Sequence, residues 1–143
     1  MKRIHIAALF LCTSICAGCS SASQTSEGNR VAVDDSAIGR AFNTKMSGIQ
    51  VEGKGLVTRI LSDDLTEPRH QRFVVRLASG HTLLITHNID IAPRVDGLRE
   101  GDGISFNGEY LWNPEGGMVH WTHHDPKGRH VTGWLKYNGR TYQ

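Results

Sequence analysis

The sequence predicts a mainly β domain: an OB-fold-like five-stranded Greek-key barrel with a helix before it and a β-ribbon after it. Three observations predict this. From Ile49 onward apolar residues recur at period two, and glycine-bearing turns separate runs rich in Val, Ile, Leu and Thr. Five such runs precede a short C-terminal pair, and the longest link joins the third run to the fourth, which is the connectivity of a partly open Greek-key barrel. A chain of 143 residues has room for one domain and a tail. A hydrophobic fraction of 38% with 21% charged residues excludes a disordered, collagenous or polytopic membrane chain.

The N-terminal elements come first. Met1-Lys2-Arg3 leads into an apolar run, 4–17, too short to cross a bilayer as a mature helix, which reads as an export signal. The run ends in Cys16-Ala17-Gly18-Cys19-Ser20, which resembles the bacterial lipobox, with Cys16 where leucine is usual. That resemblance implies a signal peptide over 1–18 and a lipid on Cys19 that anchors the chain in a membrane; an ordinary secretory signal is the alternative reading. Residues 19–33 are small and polar and read as a flexible tether, leaving 34–143 as the domain. Ser20 stands where an inner-membrane lipoprotein resembling the retention pattern carries aspartate, so the expected location is the cell envelope, on the periplasmic face of the outer membrane.

Export changes the arithmetic. Cys12 and Cys16 leave with the signal and Cys19 carries lipid, so the domain has no disulfide and no thiolate for a metal. Losing Lys2 and Arg3 lowers the basic count from 16 to 14, against 14 acids. A formally neutral chain has no global basic excess for nucleic acid, and any such affinity must be local.

Asp34 and Asp35 are placed to cap a helix whose stripe is Ala37, Ile38, Ala41, Phe42 and Met46, with Gly48 just past its end. The strands are expected over 51–61, 70–77, 82–88, 104–112 and 118–124, with hairpin turns at 78–81 and 113–117. Asp125-Pro126-Lys127-Gly128 is a type I turn signature. Asn138-Gly139 then pairs 132–137 with 140–143 as the ribbon.

Three places hold side chains with chemistry. In the fifth strand, alternation puts Val119, Trp121 and His123 on one face and His120, Thr122 and His124 on the other. The 113–117 loop predicts Val119 opposite Trp112, His120 opposite Leu111, Trp121 opposite Tyr110 and His124 opposite Asn107, with Glu109 diagonal to both His120 and His124. Two imidazoles and a carboxylate are a ligand set for zinc or manganese with an open position, His123 or His130 standing behind them. A hydrogen-bond network around the 125–128 turn uses the same residues without a metal.

On the second strand Phe73, Val75 and Leu77 point to the core, while His70, Arg72 and Arg76, with Arg69 just before, form an outward cationic row. Barrels of this kind bind ligands across strands two and three. The row would track an anionic chain such as single-stranded nucleic acid, with Trp121, Trp134, Trp112 or Tyr110 as stacking platforms; a solvated charged face is the alternative. At the end of the third strand His87 shares the core parity of Leu83 and Ile85, so it is expected to be buried and bonded to a backbone carbonyl or Asp90, and Asp90 with Arg94 reads as a local ion pair. There is no Gly-rich phosphate loop, serine elbow or cysteine nucleophile, which argues against covalent catalysis.

His70-Gln71-Arg72-Phe73, Thr82-Leu83-Leu84-Ile85, His87-Asn88-Ile89-Asp90, Gly108-Glu109-Tyr110 and the run from His120-Trp121-Thr122-His123-His124-Asp125-Pro126 through Gly133-Trp134 carry a resemblance. The chain resembles, over roughly 51–143, an uncharacterised bacterial domain-of-unknown-function family of small exported proteins. The resemblance implies an OB-like barrel, and members are described on fold grounds as nucleic-acid-binding lipoproteins. The leading expectation is therefore a lipid-anchored binding module for an anionic ligand. A metal-dependent, nuclease-like hydrolase using His120, His124 and Glu109 and a structural envelope lipoprotein are the alternatives.

Overall fold

A computed structural model of the chain describes residues 35–143. The expected signal peptide over 1–18, Cys19 with its expected lipid and the expected tether over 19–33 lie outside the described residues. Helix α1 (Ser36–Asn43) is followed by β1 (Ile49–Ile60), β2 (His70–Leu77), β3 (Thr82–Asn88), β4 (Gly103–Leu111), β5 (Met118–His120), β6 (Trp134–Tyr137) and β7 (Arg140–Tyr142). Strands β1 to β5 close a mixed barrel in the order β1-β2-β3-β5-β4 with β4 returning to β1, and the β6–β7 ribbon extends from β4. Only β3 and β5 run parallel, with Leu84 beside Met118 and Ile85 beside Val119.

The period-two pattern forms the core as expected. Phe73, Val75, Leu83, Ile85, Ile104, Phe106 and Val119 are all buried inside the barrel, each stabilising it by about 1.5–3 kcal/mol if the side chain is fully removed from water. The long β1 serves two neighbours, Ile49–Leu56 pairing with β4 and Gly55–Ile60 with β2, and a bulge between Val57 and Arg59 bends the part that follows β2.

Helix α1 joins this core through Ile38 and Ala41, beside the β2–β3 and β4–β5 turns: Asp35 Oδ2 accepts the Ser79 N–H and Phe42 O accepts the Trp112 indole N–H. The helix ends earlier than its apolar stripe. Met46 N–H bonds to Ala41 O and Lys45 N–H to Phe42 O, a Schellman stop with Lys45 rather than Gly48 in the left-handed position, and this leaves Met46 exposed.

The β3–β4 link carries no helix. Its Val95 is fully buried, held by two bonds with the Gln71 carboxamide, while Arg94 pairs with Asp63 and Asp96. The expected Asp90–Arg94 pair is not formed, because Arg69 takes Asp90 at 2.6 Å. The ribbon turns at Asn138-Gly139 with positive φ at both residues, as its sequence demands.

Candidate functional site

The β4–β5 register decides where the site forms. Leu111 lies opposite Met118, Tyr110 opposite Val119 and Glu109 opposite His120, two residues away from the expected pairing. The turn is longer than it reads in sequence because Trp112 leaves the ladder: its N–H donates to Ser47 Oγ and its indole to the end of α1. A two-residue slip preserves the faces, so Glu109 and His120 still share one side, now directly opposite each other instead of diagonal.

Strand alternation then stops at Trp121, whose φ of 51° is left-handed. For a bulky L-residue that conformation costs about 1–2 kcal/mol and concentrates at functional positions. The strand therefore ends at His120 instead of running to His124. Past the break the chain crosses beside Gly108 and Gly133, where a Cβ would collide with the His120 carbonyl and with the Trp121 and Asn107 carbonyls respectively. No other residue permits that approach.

From there Asp125 organises the loop. Its buried carboxylate accepts the N–H groups of Lys127, Arg129 and His130, and the first of these does most to hold its pKa below the usual carboxylate range. Gly128 N–H bonds to Asp125 O, closing the predicted turn. The loop delivers His130 onto Trp121, ring against ring at 3.7 Å and 16°.

Glu109 is bracketed by two imidazoles: Oε1 is 3.5 Å from His120 Nε2 and Oε2 is 3.4 Å from His130 Nδ1. The first contact is too long for a good hydrogen bond, and His120 Nε2 is buried with no hydrogen-bond partner. Burial lowers the His120 pKa against the pull of Glu109, and burial likewise lowers that of His123, so both rings are neutral at neutral pH. His123 Nδ1–H donates to His124 O at 2.9 Å, which leaves Nε2 as its acceptor nitrogen. His87 is fully buried: Nε2–H donates to Pro93 O, and Nδ1 accepts from Thr122 Oγ1 at 2.8 Å. Burial pushes the His87 pKa down to about 4. The backbone-carbonyl partner expected for His87 is the one observed; Asp90 is not its partner.

His120 and His123, with Trp121 between them, border a cleft of about 290 Å³ on the outer face of β2, β3 and the end of β5. Its walls are His70 and Pro68 on one side, Thr86 and Asn88 in the middle, and His120, Trp121 and His123 on the other. Arg72 lies across the β2–β3 ladder from Thr86, and Arg76 from Thr82.

The structure thus brings His70, His120, Trp121 and His123 together, with Glu109 and His130 beside them. His124 does not join them: it is exposed, with Nδ1 3.3 Å from Thr132 Oγ1, and His130 holds the place at Glu109 that alternation assigned to His124. Among the described residues no group of three or more His, Cys, Asp or Glu side chains is arranged to hold a metal ion. Trp134 is also elsewhere, on β6 opposite Asn107, with Lys136 Nζ 4.0 Å from its ring. In the cationic row Arg69 is neutralised by Asp90 and Arg72 donates to the Ser62 carbonyl, while Arg76 is exposed. Sequence reasoning missed Thr86 and Asn88, although their alternation on β3 opposite Arg72 and His70 was available to find them; nothing local marks Pro68.

A search of curated proteins finds no match to the chain. One family model, described as a protein of unknown function, matches residues 22–143, a longer span than the resemblance read from the motifs. The buried barrel pattern and the His120–Pro126 run both fall within that match, and the chain belongs to the DUF3465 family.

Proposed function

We propose that this domain is a non-catalytic binding module for an anionic chain, single-stranded nucleic acid being the class that fits, held against the outer face of β2 and β3. One observation carries the reading: Arg72 and Arg76 project from that face, Arg72 beside the cleft and Arg76 further along β2, and among the described residues neither has a carboxylate within ion-pair distance. Arg72 is bonded to a neutral carbonyl and feels the Asp64 carboxylate only beyond ion-pair distance, so a phosphate can still pair with it. Lipid on Cys19 would fix the module to the periplasmic face of the outer membrane, with residues 19–33 as the tether. Zinc or manganese has no role in this reading.

The test is a time course of fluorescence anisotropy with a labelled single-stranded oligonucleotide and the full chain in detergent, with and without Zn²⁺ or Mn²⁺. A salt-sensitive rise that holds steady supports binding. Replacing both Arg72→Ala and Arg76→Ala should weaken it and flatten the logarithmic salt dependence by about 1.4, for two lost phosphate contacts. A flat trace, or affinity unchanged in the double variant, overturns the reading. A metal-dependent fall below the free-strand baseline means cleavage and overturns its non-catalytic part.

A further inference from the structure

The cleft itself is chemically unlike its rim. Its volume of about 290 Å³ lies at the lower edge of small-molecule sites, which run from about 300 to 1,000 Å³, and suits one ring system. The walls are mostly flat. His130 covers one face of the Trp121 indole in parallel contact, which holds the indole in a fixed plane; the His123 ring approaches it at 5.2 Å and 51° and the His120 ring at 6.0 Å and 59°, and Trp121, His123 and His120 all border the cleft. A left-handed backbone at Trp121, secured by the close approach at Gly108 and Gly133, sets that plane.

The polar groups of the cleft are few and of both kinds. Asn88 Oδ1 accepts the Asp90 N–H at 2.9 Å, which orients the carboxamide; its amide nitrogen has no partner among the described residues and supplies donors. His123 supplies an acceptor nitrogen, and His120 Nε2 is buried without a hydrogen-bond partner. Neither an arginine nor a carboxylate lines the cleft: Arg72 lies across the β2–β3 ladder from the lining Thr86, Arg76 lies four residues further along β2 opposite Thr82, and burial lowers the pKa of His120 and His123. A phosphate in the cleft would find no arginine or lysine on its walls, whereas an uncharged ring with donors and acceptors on its edge matches the flat lining and its few polar groups.

We infer that the cleft receives a single nucleobase, packed against Trp121 and hydrogen-bonded at its edge by Asn88 and His123, while the phosphates of the same strand stay on Arg72 and Arg76. This rests on the nucleic-acid reading above and names the part of that ligand that enters the protein.

The experiment compares a labelled oligoadenylate with an abasic strand of equal length and charge, by anisotropy on the full chain in detergent. The base-bearing strand should bind about tenfold more tightly, a difference within the range of stacking on one aromatic side chain. In Trp121→Leu that ratio should fall towards one while the abasic strand is unaffected. Trp121→Phe keeps a ring and should retain part of the ratio, and Asn88→Asp, which keeps the shape but exchanges donors for an acceptor, should reduce it. Circular dichroism confirms that each variant is folded. Equal affinity for the two strands, or a ratio indifferent to both Trp121→Leu and Asn88→Asp, overturns the nucleobase inference and leaves the binding module standing. Failure of both strands to bind removes the module and the inference together.

Discussion

In the barrel wall, Phe73, Val75, Ile85 and Val119 are each closed off from solvent by apolar neighbours on adjacent strands, and many contacts share the work of holding any one of them. Residues 121–133 are held differently. Apart from the β-strands on either side, their shape rests on a few individual supports: the Asp125 carboxylate, the left-handed Trp121, Gly133, whose missing Cβ lets the backbones meet, and single bonds such as Gly133 N–H to His123 O and Thr122 to His87. The wall is more redundant than the segment. The difference teaches where each kind of substitution will be felt: in the wall as lost stability, in the segment as a lost arrangement of His120, Trp121 and His130 around Glu109.

The sharpest break of the wall is Phe73→Ala. Phe73 is fully buried, and truncation of such a side chain costs about 3–5 kcal/mol through lost burial and the cavity left behind. Chemical denaturation should show the full loss, while indole fluorescence of the folded state stays close to that of the parent.

Next in size is a pH effect at the seam between the two regions, where His87 of β3 accepts from Thr122. Its pKa falls from 6.5 to about 4 on folding because burial penalises the charged ring. Above 6.5 the ring is neutral in both the native and the unfolded chain and contributes no pH dependence. As pH falls below 6.5 the unfolded chain takes up a proton that the native state refuses, so stability is lost progressively until about pH 4. The loss reaches about 3 kcal/mol, and the same direction holds for His120 and His123. Denaturation curves across this window should show the decline, and His87→Gln should make it shallower; an unchanged slope would sink the assignment to His87.

Smallest in stability but largest in the site is Asp125→Ala. Three N–H groups lose their acceptor, and at a loop partly open to water this costs about 1–3 kcal/mol. Because His130 is one of the three, its stack on Trp121 should loosen, shifting the indole emission in a protein that remains folded. If the emission stayed fixed, the loop would have a second support and the contrast between the two regions would fail.

Much of the wall was legible. Alternation on β2 and β3 places Phe73, Val75, Leu77, Leu83 and Ile85 inside, and the same parity predicts a buried His87. Asn138-Gly139 announces the ribbon turn. The site was legible only in part. His120 and Glu109 were on a shared face whichever of the two registers held, because a slip of two residues does not change faces. His124 was misplaced for the opposite reason: one left-handed residue at Trp121 ends the alternation, and every face assigned beyond it loses its basis.

The sequence by itself determined the class of fold, the barrel connectivity, the core parity of β2 and β3 and the turns whose geometry belongs to particular residues, since these follow from short-range periodicity and backbone preference. Tertiary structure alone decided that Trp112 would leave the ladder for α1, that β5 would stop at Trp121, and that His130 rather than His124 would face Glu109. Those outcomes depend on groups far apart in the chain, Phe42 with Trp112 and Gly133 with Asn107 and Trp121, which meet only when the barrel closes, and no local preference encodes a contact that closure creates.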